Sequence, residues 1–206
     1  MTPLKFTHVH IPPTSDDART MLLLHGTGGN ERDLLELGSS VAPGARLLGV
    51  RGQVLESGMP RFFRRLAEGV FDDADIVVRA ADLATFVATA SEEYGFDSEQ
   101  VVAVGYSNGA NIAAAVMLLH PGTFRAAVLL RSMVPLVPAA LPNLAGTEVL
   151  MSQGQSDPIV PRPAAERLAE LLRNSGADVT LHWEDVGHGL SSADVDVARE
   201  WLAARR

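Results

Sequence analysis

Short, wholly apolar runs recur along this chain with room for a helix between each pair, and that alternation constrains its fold more than any other feature. Met21–Leu24, Leu47–Val50, Val101–Val104, Ala126–Leu130 and Val149–Met151 are continuous stretches of hydrophobic residues. Such runs mark strands buried on both faces, whereas Phe6–Ile11 alternates as an edge strand does. Helical periodicity predicts helices over Glu31–Val41, Ala74–Tyr94, Ser107–His120 and Pro163–Asn174, the last closed by Gly176. Ala177–Trp183 then reads as one more strand, and Ala193–Ala204 as a final helix with Ser191 as its N-cap. The expectation is an α/β fold, with a mostly parallel, doubly wound sheet, helices on both faces, and functional loops at the carboxyl ends of the strands.

With 206 residues, 47% of them hydrophobic and 20% charged, the chain suits a single domain over 1–206 with a sizeable core and is too apolar for intrinsic disorder. No internal repeat or interdomain linker interrupts it. The 17 basic residues are outnumbered by 25 acidic ones, and no basic stripe appears, so nucleic acid is not an expected partner. The longest apolar runs, Met21–Leu24 and Ile112–Leu119, are far shorter than the roughly 20 residues that span a bilayer, so no membrane partner is expected either. Met1–Pro13 has no apolar signal core, which favours a cytoplasmic location. The lack of cysteine excludes disulfides, thiolate zinc sites, iron–sulfur clusters and a cysteine nucleophile. Two connections are long enough to be functional, Arg51–Asp73 and Met133–Gly146.

Candidate chemistry begins at Gly105-Tyr106-Ser107-Asn108-Gly109, a G-x-S-x-G pattern where a strand turns into a helix. Such a turn exposes the serine hydroxyl above the sheet, and the helix N-terminus favours a developing oxyanion. After the strand Met21–Leu24 comes His25-Gly26-Thr27-Gly28-Gly29-Asn30. It lacks the spacing of a phosphate loop, because position 31 is Glu and the only lysine is Lys5. As an oxyanion loop it would offer the Thr27 amide, paired with that of Asn108 directly after the nucleophile. Among six histidines, His188 alone lies in a glycine-flanked loop between the last strand and the last helix, which makes it the candidate base. His25 reads as a brace for the oxyanion loop, and no histidine spacing argues for a metal. Asp157, just after Val149–Met151, is the candidate orienting acid, with Glu184 and Asp185 as alternatives nearer to His188 in sequence. The order Ser, Asp, His is that of an α/β-hydrolase triad.

Taken together, Leu23-Leu24-His25-Gly26-Thr27-Gly28-Gly29-Asn30, Gly105-Tyr106-Ser107-Asn108-Gly109, Asp157-Pro158-Ile159-Val160-Pro161 and Gly187-His188 resemble the carboxylesterase/phospholipase branch of the α/β-hydrolases. These small bacterial esterases are related to acyl-protein thioesterases. The resemblance spans nearly the whole chain and implies a serine hydrolase of carboxylic esters or thioesters that needs no cofactor or metal. Arg51–Arg65 and Leu130–Pro135 further resemble a bacterial subgroup associated with the degradation of aromatic compounds and quinones.

The implied partner is a small-molecule ester, and a homodimer is left open. Only the two long connections remain outside sheet and helices, too little for a large lid domain. The wall of an open pocket is assigned to Met59, Phe62, Phe63, Phe71, Met133, Val134 and Leu190, residues that core packing would account for equally well. Short-chain or aryl esters are the expected substrates. Thioesterase, lysophospholipase, acyltransferase and lactone-hydrolase activities would use the same triad, and a ligand-binding protein without turnover is the rival from another class.

Overall fold

Successive side chains of a strand pass to opposite faces of a sheet, so a strand that is apolar at every position needs cover on both sides. The computed structural model describes residues 4–67 and 69–205. Its first half runs β1 (His8–Ile11), β2 (Thr20–Leu24), α1 (Leu35–Val41), β3 (Arg46–Val50), β4 (Val54–Glu56), β5 (Met59–Arg61), β6 (Arg65–Ala67), β7 (Val70–Phe71) and α2 (Asp73–Tyr94). The second half is β8 (Val101–Tyr106), α3 (Asn108–Leu119), β9 (Ala126–Leu130), β10 (Glu148–Gly154), α4 (Arg162–Asn174), β11 (Asp178–Glu184) and α5 (Ser192–Ala203).

Seven strands form the main sheet in the order β1-β3-β2-β8-β9-β10-β11; only β1 is antiparallel to its neighbour. Along β2, Leu22 and Leu24 join a core with Ile76, Leu83 and Phe86 of α2, Ile112 of α3, and Leu168 and Leu172 of α4. Met21 and Leu23 join the opposite core with Val41 of α1 and Ala198, Trp201 and Leu202 of α5. Helix α3 is buried along almost its whole length, and its alanines at 110, 113, 114 and 115 let it lie close against the strands.

Strands β2 and β8 are neighbours, with Leu24 opposite Gly105. The chain leaves β2 for β3 on one side and later returns to β8 on the other. Strand order therefore reverses between them, which is where α/β sheets open a ligand crevice at the carboxyl ends. This is the α/β-hydrolase architecture expected from the sequence, and among the described residues no helical lid covers it.

Local boundaries differ where side chains compete for the backbone. The helix expected over Glu31–Val41 starts only at Leu35, because Asn30 Oδ1 accepts the Arg32 amide at 2.9 Å and folds residues 30–33 into a turn. The long connection Arg51–Asp73 holds two small antiparallel pairs, β4 with β5 and β6 with β7. Ser57 and Gly58 join the first pair with φ of 51° and 82°, the two positive values a two-residue primed turn demands. Ser191 caps α5 in a reciprocal capping box with Asp194.

Candidate active site

Three strand ends and one loop converge above the β2–β8 reversal. Ser107 leaves β8 with φ 54° and ψ −113°, a conformation an L-residue adopts only under constraint. The glycines around it do not supply the turn, since neither Gly105 nor Gly109 has a positive φ. They permit close approach. A Cβ at Gly105 would stand 2.6 Å from the backbone of Ala110, and one at Gly109 only 1.9 Å from Leu24 O.

His188 Nε2 lies 2.9 Å from Ser107 Oγ, and His188 Nδ1 lies 2.8 Å from Asp157 Oδ2. An ionised carboxylate only accepts, so the Nδ1 proton points at Asp157 and Nε2 is free to accept from the serine. The Asp157 side chain is 1% exposed, and its Oδ1 accepts the amides of Ile159 and Val160 at 2.8 and 3.0 Å. Those two bonds fix the carboxylate's orientation. Glu184, the nearer acid in sequence, instead meets His182 at 2.6 Å, and Asp185 is exposed.

The loop after β2 reaches the same point. His25 is 1% exposed; its Nε2 accepts the Gly52 amide at 3.0 Å, and Nδ1 lies 2.6 Å from Gly26 O. Burial holds its imidazole below the ordinary histidine range, so it serves here as a neutral brace. Gly28 and Gly29 spend their amides on Pro60 O and Gly26 O. Thr27 Oγ1 accepts from Arg61 Nη1 at 2.6 Å, and Asn108 Oδ1 accepts from the Phe62 amide at 2.7 Å. Both side chains are thereby tied to β5 and the residue after it. As the first residue of α3, Asn108 has an amide without an acceptor inside the helix.

A cleft of about 270 Å³ opens over Ser107 and His188. Of the residues assigned to its wall, Phe71 and Met133 line it. Phe62 and Phe63 are instead buried in the core beside α2, Val134 packs against that same core, and Leu190 packs against the core on the opposite face. Met59 is exposed and its side chain covers Gly28. The wall also contains Arg61, Arg65, Tyr106, Asn111, Ile159 and Val160, none of which the sequence had placed there. Asn111 had a legible signal, since it lies four residues after Ser107 on the same helix face. A larger cavity of about 460 Å³ opens among Ser15, Arg19, Pro43, Arg125 and Arg205, at the opposite end of the strands, and contains no nucleophile–base pair. Among the described residues, no group of three His, Cys, Asp or Glu could hold a metal ion.

A family model described as the dienelactone hydrolase family matches residues 61–204. The chain is 48% identical over 194 residues to the putative hydrolase MhqD of Bacillus subtilis strain 168, covering 94% of this chain and 96% of that protein. Its structure resembles that of a Bacillus cereus carboxylesterase with a TM-score of 0.95 and 47% identity, over 97% of this chain and 94% of the other. A carboxylesterase from Mesorhizobium loti gives 0.91 and 33%, over 98% and 97%.

Proposed function

This chain belongs to the dienelactone hydrolase family, within the α/β-hydrolases, and on that premise we propose that it is a serine carboxylesterase acting on small carboxylic esters through a Ser107–His188–Asp157 triad. The observation that carries this reading is the continuous chain from Ser107 Oγ through His188 to Asp157, at 2.9 and 2.8 Å. In the first half-reaction His188 takes the Ser107 proton as the oxygen attacks the ester carbonyl, and Asp157 stabilises the imidazolium that forms. The amides of Thr27 and Asn108 receive the oxyanion, each such donor being worth about 3 to 4 kcal/mol where it has been measured. His188 then returns the proton to the leaving alcohol. In the second half-reaction it activates a water that releases the acid from Ser107. No step needs a cofactor or metal.

The family description also favours a cyclic ester as substrate, because lactone opening uses the same residues with the leaving alcohol still tethered. The test is labelling by a fluorophosphonate probe, followed by turnover of a panel of acyclic esters, thioesters and lactones. Labelling at Ser107 that is lost in Ser107→Ala is expected. A protein that hydrolyses esters while Ser107 stays unlabelled would refute the triad.

A further inference from the structure

His188 lies between two glycines, and neither has a side chain to pin the loop. A Cβ added at Gly189 would meet nothing within 4 Å, and one at Gly187 only Ser156 O at 3.8 Å. The loop is held by its carbonyls instead. Gly187 O accepts from Arg131 Nε at 3.2 Å, His188 O from the Tyr106 hydroxyl at 3.1 Å, and Gly189 O from Arg131 Nη2 at 2.9 Å.

Arg131 is fully buried and has φ 56°, a second left-handed residue beside the site. Its remaining donors go to Ser152 O at 3.1 Å and to both oxygens of Asp194, at 2.8 and 2.7 Å. All five N–H groups of the guanidinium are thus engaged. Asp194 also accepts the Ser152 hydroxyl at 2.7 Å and the Ser191 amide at 2.8 Å. Burial pushes its carboxyl up, but the bonds from Arg131, Ser152 and Ser191 outweigh that and hold it below the ordinary range.

Buried ion pairs are often no more stabilising than apolar residues of the same volume, so stability is a weak reason for this one. What a planar guanidinium adds is a rigid fork that fixes two carbonyls on either side of one residue. We propose that Arg131, neutralised by Asp194 and joined by Tyr106, is a positioning residue that holds the His188 main chain so that the imidazole bridges Ser107 and Asp157. This rests on the triad reading above.

The test uses the full chain with Arg131→Lys and Tyr106→Phe, beside Ser107→Ala. Lysine keeps the charge opposite Asp194 but cannot reach both glycine carbonyls. The readouts are kcat and KM for p-nitrophenyl acetate per fluorophosphonate-titrated serine, Tm, and the low-field proton resonance of a His Nδ1 bonded to a carboxylate. Arg131→Lys is expected to lose about 10- to 100-fold in kcat with KM nearly unchanged, and Tyr106→Phe roughly 3- to 10-fold, each with a weakened low-field signal. A merely structural role would lower Tm and leave turnover per titrated serine and the resonance as in wild type. That result overturns the proposal. Should Arg131→Lys not fold, Tyr106→Phe, which deletes one hydroxyl, decides alone by the same criteria. Substantial turnover by Ser107→Ala would sink the triad reading itself. A dead Ser107→Ala beside a fully active Arg131→Lys overturns only the positioning role.

Discussion

Gly109→Ala is the sharpest single test of how this site is built. In an ordinary helix the change is favourable by about 1 kcal/mol, since alanine has the higher propensity and restricts the unfolded chain. Here the new methyl would stand 1.9 Å from Leu24 O, 2.4 Å from Leu24 C and 2.6 Å from His25 O. Contacts of carbon with a carbonyl oxygen settle near 3.3 Å, so backbone must move by about 1 Å or more. The three nearest atoms to that methyl are all main chain, at the end of β2 in the middle of the sheet, so no flexible side chain is there to yield. Overpacking of this kind costs about 3 kcal/mol, which exceeds the propensity gain and leaves a net loss of about 2 kcal/mol. For a chain of this size that corresponds to a fall in Tm of roughly 4 to 8 °C.

The larger effect should be on turnover. The segment that must move leads directly into His25 and Thr27, and a 1 Å misplacement of a catalytic group costs on the order of 100-fold. Gly189→Ala is the matched control, because its methyl would meet nothing and its φ is not positive. Thermal melts by circular dichroism and kcat/KM on p-nitrophenyl acetate measure both. If Gly109→Ala melts with wild type and keeps its activity, the close approach of α3 to β2 is not what Gly109 is for.

Ser107→Ala should lose 10⁴-fold or more in kcat while remaining folded, and Ser107→Gly should be equally inactive yet melt higher, because glycine relieves the φ of 54°. Asp157→Asn should cost about 10⁴-fold in kcat by favouring the wrong His188 tautomer, whereas Glu184→Gln should stay near wild type; the reverse ranking would reassign the acid. His25 gives a pH dependence of stability. Its folded-state pKa is lowered chiefly by burial, so the unfolded chain takes up a proton that the folded one refuses. Stability is therefore full above about pH 6.5 and declines below it. Melts between pH 7.5 and 5.5 should show Tm falling, with a shallower slope in His25→Gln; equal slopes would remove His25 as the source.

The sheet was legible because its strands are apolar at every position, and burial on both faces is the only arrangement that suits such runs. Helices on both sides follow from that requirement. The miss at Glu31–Leu34 came from one side-chain oxygen, Asn30 Oδ1, capturing a backbone amide that the hydrophobic period assigned to a helix. The hairpin at Ser57-Gly58 was missed for a related reason. Its strands are three residues each, too short for alternation to register, so the dipeptide between them was the only cue. For Phe62 and Phe63 the sequence left pocket wall and core packing equally open, because burial of an aromatic ring on a loop leaves the same apolar signal in either place. The structure takes the core reading: the rings are buried beside α2, and the flanking Arg61 and Arg65 line the cleft instead.

The candidate triad residues and the network behind them differ in how far apart their causes lie. Ser107, Asp157 and His188 each sit after a strand inside a short recognisable pattern, G-x-S-x-G, Asp157-Pro158 or Gly187-His188-Gly189, so each announces itself locally. Arg131 and Asp194 do not. Asp194 has a complete local explanation as the third residue of a capping box, with Ser191 reciprocating. Arg131 follows an apolar strand as any solvated arginine at a strand exit would. Nothing within ten residues of either calls for a partner, yet they meet 63 positions apart with no exposure at all. A residue whose local role is sufficient gives no sign of a second, distant one. Pairwise coupling is therefore what a sequence pattern hides best: Tyr106 and Arg131 both lie in quoted stretches, yet nothing in those stretches says that they meet the loop around His188.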